Sequence, residues 1–257
     1  MDHTVLLALS LSFLAGAATS IGGLLAFFVK KDNFSALGIG LGFSAGVMLY
    51  VSFVEMLTRA QISLREVFGH GYGGWLAIGA FFGGIAVAGA IDTFLPSHHL
   101  ENNALNKSNK LKRLGLFTAL ALAIHNFPEG LATFMAAMQS PALGISIAFA
   151  VAIHNIPEGI AVALPVYHST GSKKKAFWYS TLSGMAEPVG AILGYMLFKA
   201  FLNEASFGII FAGIAGIMVY ISLDELLPTA HEYGNSHQVI WGVVGGLLIM
   251  AVSLQLL

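Results

Sequence analysis

The sequence predicts an all-α integral membrane protein with eight transmembrane helices, one domain from residue 1 to 257. Three observations carry that prediction. Of the 257 residues, 56% are hydrophobic and 10% charged, whereas a soluble domain of this length would carry about 25% charge. Eight apolar segments can be drawn, at about 5–29, 34–58, 73–95, 114–138, 145–167, 176–200, 208–230 and 239–257, each close to the ~20 residues a helix needs to cross a bilayer. Polar residues inside those segments recur in repeated phrases.

The first segment is too long for the core of a cleavable signal peptide and reads as a retained span. Lys30 and Lys31 follow it. Lys107, Lys110, Lys112 and Arg113 lie between segments three and four, and Lys173, Lys174 and Lys175 between five and six. If the spans alternate, these nine bases share one side and Arg59, Arg65 and Lys199 make three on the other. The excess marks the nine-base side as cytoplasmic and puts both termini outside. Gly38-x-x-x-Gly42-x-x-x-Gly46, Gly79-x-x-x-Gly83 and Gly242-x-x-x-Gly246 would let helices approach closely, a packing signal without functional content. The cytoplasmic connection 96–113 is the longest, and its composition reads as polar and mobile.

Segments four and five are written around one phrase. His125-Asn126-Phe127-Pro128-Glu129-Gly130 returns 29 positions later as His154-Asn155-Ile156-Pro157-Glu158-Gly159. At 100° per residue, His125, Glu129 and Asn126 fall at about 0°, 40° and 100° around a helix, so the Glu stands between the other two. A carboxylate there can bridge two cations, one shared with His and one with Asn. Pro128 and Pro157 remove a backbone donor each and free the carbonyls of Ile124 and Ile153, which is tolerable in a membrane only where protein, water or an ion meets them. A lone polar residue at this depth would more often bond a neighbouring helix; two copies of one phrase in adjacent spans argue for a site.

A second repeat is more widely spaced. Residues 45–57 align without gaps on residues 215–227, seven of the thirteen positions being identical, including Met48 with Met218, Tyr50 with Tyr220 and Glu55 with Glu225. The offset of 170 residues joins span two to span seven, which run in opposite directions if spans alternate. Inverted repeats around a midplane site are a signature of secondary transporters. The chain then reads as three spans, two polar-bearing spans and three related spans.

Segment six adds Glu187, followed by Pro188. Glu129, Glu158 and Glu187 would together cost of order 8–10 kcal/mol if ionised and unpaired at the membrane centre. No Lys or Arg lies at comparable depth in the sequence, so a divalent cation is the natural counter-charge.

The tandem phrases resemble the fourth and fifth helices of the ZIP (Zrt-, Irt-like) divalent metal transporters, and the bacterial zinc-uptake members match best. The resemblance covers essentially the whole chain and implies eight spans in a 3+2+3 arrangement. It implies zinc uptake into the cytoplasm across the inner membrane, with Fe²⁺, Mn²⁺, Co²⁺ and Cd²⁺ as further cargo. Carried over by the motif, a first metal site would use His125, Glu129, His154 and Glu158. A second would use Asn126, Glu129, Asn155, Glu158 and Glu187. Met48 resembles a span-two methionine that approaches the first site, though methionine also fills core gaps. Glu55 would stand at the entrance. His98 and His99 would form a way-station at the exit or are incidental residues of a solvated loop. Asp224 with Glu225, Asp92 and His231 lie at inner boundaries without a role assigned. His154-Asn155 replaces the Gln-Asp of some relatives, which makes the second site less negative.

The chain has no cysteine, so no disulfide and no thiolate site exists. Imidazole with carboxylate and amide oxygens suits Zn²⁺, Fe²⁺, Mn²⁺ or Co²⁺ as transported ions; no cofactor is expected. Net charge near zero argues against nucleic acid as a partner. The partners are divalent ions and the bilayer, and outer-face glycines leave room for a homodimer. An intramembrane zinc hydrolase, with Glu129 as base, is the enzymatic alternative, but no His-Glu-x-x-His is present and paired overlapping sites suit passage better than chemistry. A metal-sensing receptor lacks a soluble signalling domain.

Overall fold

The computed structural model describes residues 3–30, 33–94, 107–198 and 203–256. It is all-helical, with no strand among the described residues. In chain order come α1 (His3–Leu25), α2 (Phe34–Tyr50), α3 (Leu57–Phe68), α4 (His70–Phe94), α5 (Lys107–Gln139), α6 (Pro141–Thr170), α7 (Lys173–Gly184), α8 (Ala186–Phe198), α9 (Glu204–Ile221), α10 (Leu227–Tyr233) and α11 (Ser236–Leu256). Among the described residues six helical stretches are long and apolar enough to cross a membrane: His3–Leu25, Phe34–Phe68, His70–Thr93, Pro141–Thr170, Glu204–Glu232 and Ser236–Gln255.

Local chemistry sets the ends. Asn33 caps α2 by accepting from the Ala36 amide at 3.0 Å, and Asn203 caps α9 by accepting from Ser206 at 3.0 Å. Pro141 opens α6 at the position where its missing donor costs nothing. Gly171, at φ 66°, closes α6 in the left-handed region.

Three expectations need correction. The span expected at 34–58 continues to Phe68, because Leu57–Phe68 is a good helix sequence with no breaker before Gly69. α5 begins at Lys107, so the later part of the loop expected at 96–113 is helix; the earlier part lies outside the described residues. The span expected at 176–200 is two helices, α7 and α8, broken at Met185. Pro188, in the first turn of α8, cannot donate back to the Gly184 carbonyl, and the break falls there. The glycine expectation also divides: Gly42, Gly46, Gly242 and Gly246 meet backbone of a neighbouring helix, while Gly79 and Gly83 face open space.

The 170-residue repeat is written into the backbone. A π-helical turn at Val51–Met56 joins α2 to α3, and another at Ser222–Leu226 joins α9 to α10. The two Asn caps stand at the same offset. Ser52 Oγ donates to Met48 O at 2.7 Å, and Ser222 Oγ donates to Met218 O at 2.8 Å. Packing repeats as well. α2 lies along α11 and α9 along α4. A Cβ on Gly46 would meet the Val243 carbonyl, and one on Gly216 the Phe81 carbonyl. These matched contacts relate α4 to α11 by a shift of 162 residues. α1 packs on α6, α5 on both α6 and α8, and α5, α6 and α8 carry the buried His, Asn and Glu residues.

Candidate metal centre

Six polar side chains meet in the middle of the molecule at 1% exposure or less: His125, Asn126 and Glu129 from α5, Asn155 and Glu158 from α6, and Glu187 from α8. His125 Nε2 lies 3.0 Å from Glu158 Oε1 and 3.5 Å from Glu129 Oε2. Ligand atoms of His125, Glu129 and Glu158 all fall within 4.8 Å of one another. The i,i+4 spacing brings His125 and Glu129 onto one helix face, and Glu158 reaches them across the α5–α6 interface. Among the described residues no Lys or Arg is buried near these acids.

Glu187 owes its position to the break at Met185. It sits in the first turn of α8, where unpaired amides and the helix dipole favour a carboxylate. Asn155 ties it in, donating to Glu187 Oε1 and to the Ala15 carbonyl, the latter at 2.8 Å. The glycine ending each phrase makes this possible. A Cβ on Gly130 would meet the backbone of Glu187, and one on Gly159 the carbonyl of Thr19, so a larger residue would push α8 or α1 away.

These contacts obey two shifts, 29 residues from α5 to α6 and 168 residues from α1 to α7 and α8. Gly190 stands against Phe127 as Gly22 stands against Ile156, and Gly130 against Glu187 as Gly159 against Thr19. Thr19 is therefore the counterpart of Glu187. The acid has no acidic twin, and the centre is lopsided within a symmetric frame.

Asn126 can be set two ways, since the two ends of an amide exchange by rotation. In one, its nitrogen donates to Ser183 O at 3.4 Å, as its counterpart Asn155 donates to Ala15 O. That setting leaves its oxygen 3.0 Å from Glu158 Oε2, acceptor against acceptor, which turning the amide relieves. In the other, the nitrogen donates to Glu158 Oε2 at 3.0 Å and to Leu122 O at 2.8 Å, which suits an ion-free centre. Among the described residues, His125 Nδ1, Asn155 Oδ1 and Glu187 Oε2 are buried without a hydrogen-bond partner. Orphaned acceptors around a cluster of acids are costly unless something electropositive binds them. The donor set is oxygen and imidazole, as a borderline divalent cation prefers.

Two further features flank the centre. A cavity of about 20 Å³, room for about one water, is lined by Glu55, Glu129 and Thr133 with Val51, Met56 and Phe211 among its apolar walls. Thr133 Oγ1, fully buried, has no partner among the described residues. Glu55 also pairs with Arg59. Elsewhere Asp92, Asp224 and Glu225 offer ligand atoms within 4.8 Å of one another, and Tyr220 donates to Asp92 Oδ2 at 3.3 Å.

Of the residues expected from sequence, His125, Asn126, Glu129, Asn155, Glu158 and Glu187 converge. The side chain of His154 lies outside the described residues, as do His98 and His99. Met48 is fully buried in the main apolar cluster. His231 is exposed. Sequence reasoning passed over the Ala15 and Ser183 carbonyls, Thr133 and the Thr19–Glu187 correspondence. The signal was present: Ser12-x-x-x-Gly16-x-x-x-x-x-Gly22 recurs as Ser180-x-x-x-Gly184-x-x-x-x-x-Gly190.

Comparison with known proteins agrees with this picture. The family described as "ZIP Zinc transporter" matches residues 96–254. The chain is 52% identical to the "Zinc transporter ZupT" of Lysinibacillus sphaericus, covering 100% of both chains. It is 49% identical to that of Clostridium perfringens, over 99% of this chain and 97% of the relative, and 52% identical to that of Streptococcus mutans, over 100% and 99%.

Proposed function

The chain belongs to the ZIP zinc transporter family, and from that premise we propose that it takes up divalent metal, zinc first, into the cytoplasm through the centre built on α5, α6 and α8. It is a multi-pass membrane transporter and not an enzyme. The observation that carries the mechanism is the convergence of His125, Glu129 and Glu158, buried and within 4.8 Å, with no Lys or Arg buried beside them among the described residues. Neutralisation is the job of the cargo.

In this reading Glu129 and Glu158 bridge two ions. His125 and His154 complete the first, and Asn126, Asn155 and Glu187 the second, with Met48 near the first. Asn155 Oδ1 and Glu187 Oε2, buried without a hydrogen-bond partner among the described residues, support it as acceptors left for an ion. Ions enter past Glu55 and the small cavity beside Thr133. They leave past Asp92, Asp224 and Glu225, with His98 and His99 beyond. Eight spans in a 3+2+3 arrangement, within one domain spanning residues 1–257, both termini outside and an inner-membrane location complete the proposal. Its support is the nine-to-three basic asymmetry, together with the matched contacts that relate α1, α2 and α4 to α7–α8, α9 and α11. Fe²⁺, Mn²⁺, Co²⁺ and Cd²⁺ fit the same donor set.

Uptake of radioactive zinc into proteoliposomes tests the proposal. Zinc accumulation above that of protein-free vesicles is expected; purified protein that binds zinc but moves none would overturn it.

A further inference from the structure

A cavity of about 140 Å³ opens where α5, α6 and α7 meet, away from the metal centre. Leu116 and Val166 supply its apolar lining; Thr170, Lys175 and Tyr179 supply a hydroxyl, an ammonium and a phenol. The corner beneath it is built rather than loose. Thr170 Oγ1 donates to Val166 O at 2.7 Å and accepts from the Ser172 amide at 3.2 Å, and Ser172 Oγ accepts from the Lys175 amide at 3.3 Å. The three neighbouring lysines are not equivalent. Lys173 is committed to the Phe27 carbonyl at 2.6 Å, and Lys174 is exposed and does not line the cavity. Lys175 alone of the three faces it.

We propose that this cavity holds the phosphate headgroup of an anionic phospholipid of the cytoplasmic leaflet, with the upper acyl chain against Leu116 and Val166. Basic pockets between membrane helices on that side attract such headgroups, and the partly exposed Trp178 and Tyr179 suit the interfacial depth. The internal repeat provides a built-in comparison. Shifted by 29 and 168 residues, the five lining positions fall on Ile145, Ala137, Pro141, Leu7 and Leu11, all apolar. Ala137 is fully buried, and Gly144 packs directly against it. The same scaffold thus carries a cation, a phenol and a hydroxyl at one face of the membrane and hydrocarbon at the other. A requirement confined to one leaflet explains that difference; helix packing alone would act on both copies. The assignment to the cytoplasmic side rests on the orientation proposed above, and the binding test is read without transport, so failure of either shows separately.

The test is native mass spectrometry of protein extracted from vesicles of phosphatidylcholine and phosphatidylglycerol in equal parts. Retention of one phosphatidylglycerol per chain, in preference to phosphatidylcholine, is expected. Lys175→Gln should lower that occupancy by about tenfold, and Leu116→Trp by a similar factor although it removes no charge. Lys174→Gln should cost no more than the roughly fivefold that one lysine near an anionic surface is worth. Both pocket residues are exposed, and an unchanged elution volume will show that the variants fold. Equal losses for the two lysines with no effect of Leu116→Trp would overturn the proposal, leaving only diffuse attraction of basic residues. Displacement of the lipid by millimolar inorganic phosphate would also overturn it, because the site would then belong to a soluble anion.

Discussion

Replacing Glu158 by Gln separates a carboxylate kept for an ion from one kept for the fold. At the centre of a span an ionised Glu costs about 2.5–3.5 kcal/mol. Its bonds to His125 at 3.0 Å and, with the amide turned, to Asn126 at 3.0 Å return about 1.5–3 kcal/mol each as charge-assisted bonds. Gln keeps the shape, makes neutral bonds of about 0.5–1.5 kcal/mol each and pays no charge burial. The ion-free variant should therefore lie between about 2.5 kcal/mol less and about 3.5 kcal/mol more stable than the parent. Zinc separates the two proteins. At a hundred times its dissociation constant, a ligand stabilises by about 2.7 kcal/mol, or roughly 5–10 °C in melting temperature for a chain of this size. If loss of the shared carboxylate weakens binding about a hundredfold, the same zinc concentration gives the variant only about 0.4 kcal/mol, near 1 °C. Thermal unfolding in detergent with and without zinc, run beside uptake in proteoliposomes, reads both quantities. A full zinc-induced shift in the variant, or an ion-free variant less stable by more than about 4 kcal/mol, would refute the reasoning and make Glu158 a structural residue.

Glu129→Ala should nearly abolish zinc uptake while the protein still reaches the membrane; near-normal uptake at matched expression would remove the bridging role. Asn155→Asp adds a charge beside Glu187 and should reorder preference among Zn²⁺, Fe²⁺, Mn²⁺ and Cd²⁺ more than it alters folding; competition uptake with an unchanged ranking would confine Asn155 to its contacts with Ala15 and Glu187. Val51 and Ile221 are matched, buried repeat positions in a chain without cysteine. Single cysteines there should change their labelling by an impermeant thiol reagent in opposite directions when zinc is added, and unchanged accessibility at both would favour a fixed pore over halves that move against each other.

The polar centre was legible because membrane helices can hide few charges. Once His125, Glu129, His154 and Glu158 are seen at i,i+4 spacing in neighbouring apolar stretches, convergence is the cheapest arrangement. The 170-residue repeat was legible because Met48–Leu57 and Met218–Leu227 kept enough identity to align. Three things were not. Helix ends outside the bilayer depend on propensity and caps, and Lys- and Arg-bearing sequence such as Lys107–Arg113 reads as loop by polarity although its residues favour helix. The break at Met185 follows from Pro188, and a proline that opens a helix looks in sequence like one inside a continuous span, as Pro157 is in α6. The Thr19–Glu187 correspondence lay hidden for the opposite reason: three shared small residues are too few to announce a repeat until the backbone aligns them.

The paired π-helical turns at Val51–Met56 and Ser222–Leu226 date an event. A wide turn of this kind is one residue more than the α-helix around it needs, and here the extra residue stands at the same register in both copies. It was therefore present before the copying took place. Beside it both copies keep the same Tyr, Ser and Glu. Later substitution was free to rewrite most of the surrounding side chains, turning Val54 on one side into Asp224 on the other, but neither copy has shed the surplus residue and straightened its helix. A constraint that outlasted the divergence of the residues around it belongs to the backbone, and its age is that of the architecture itself.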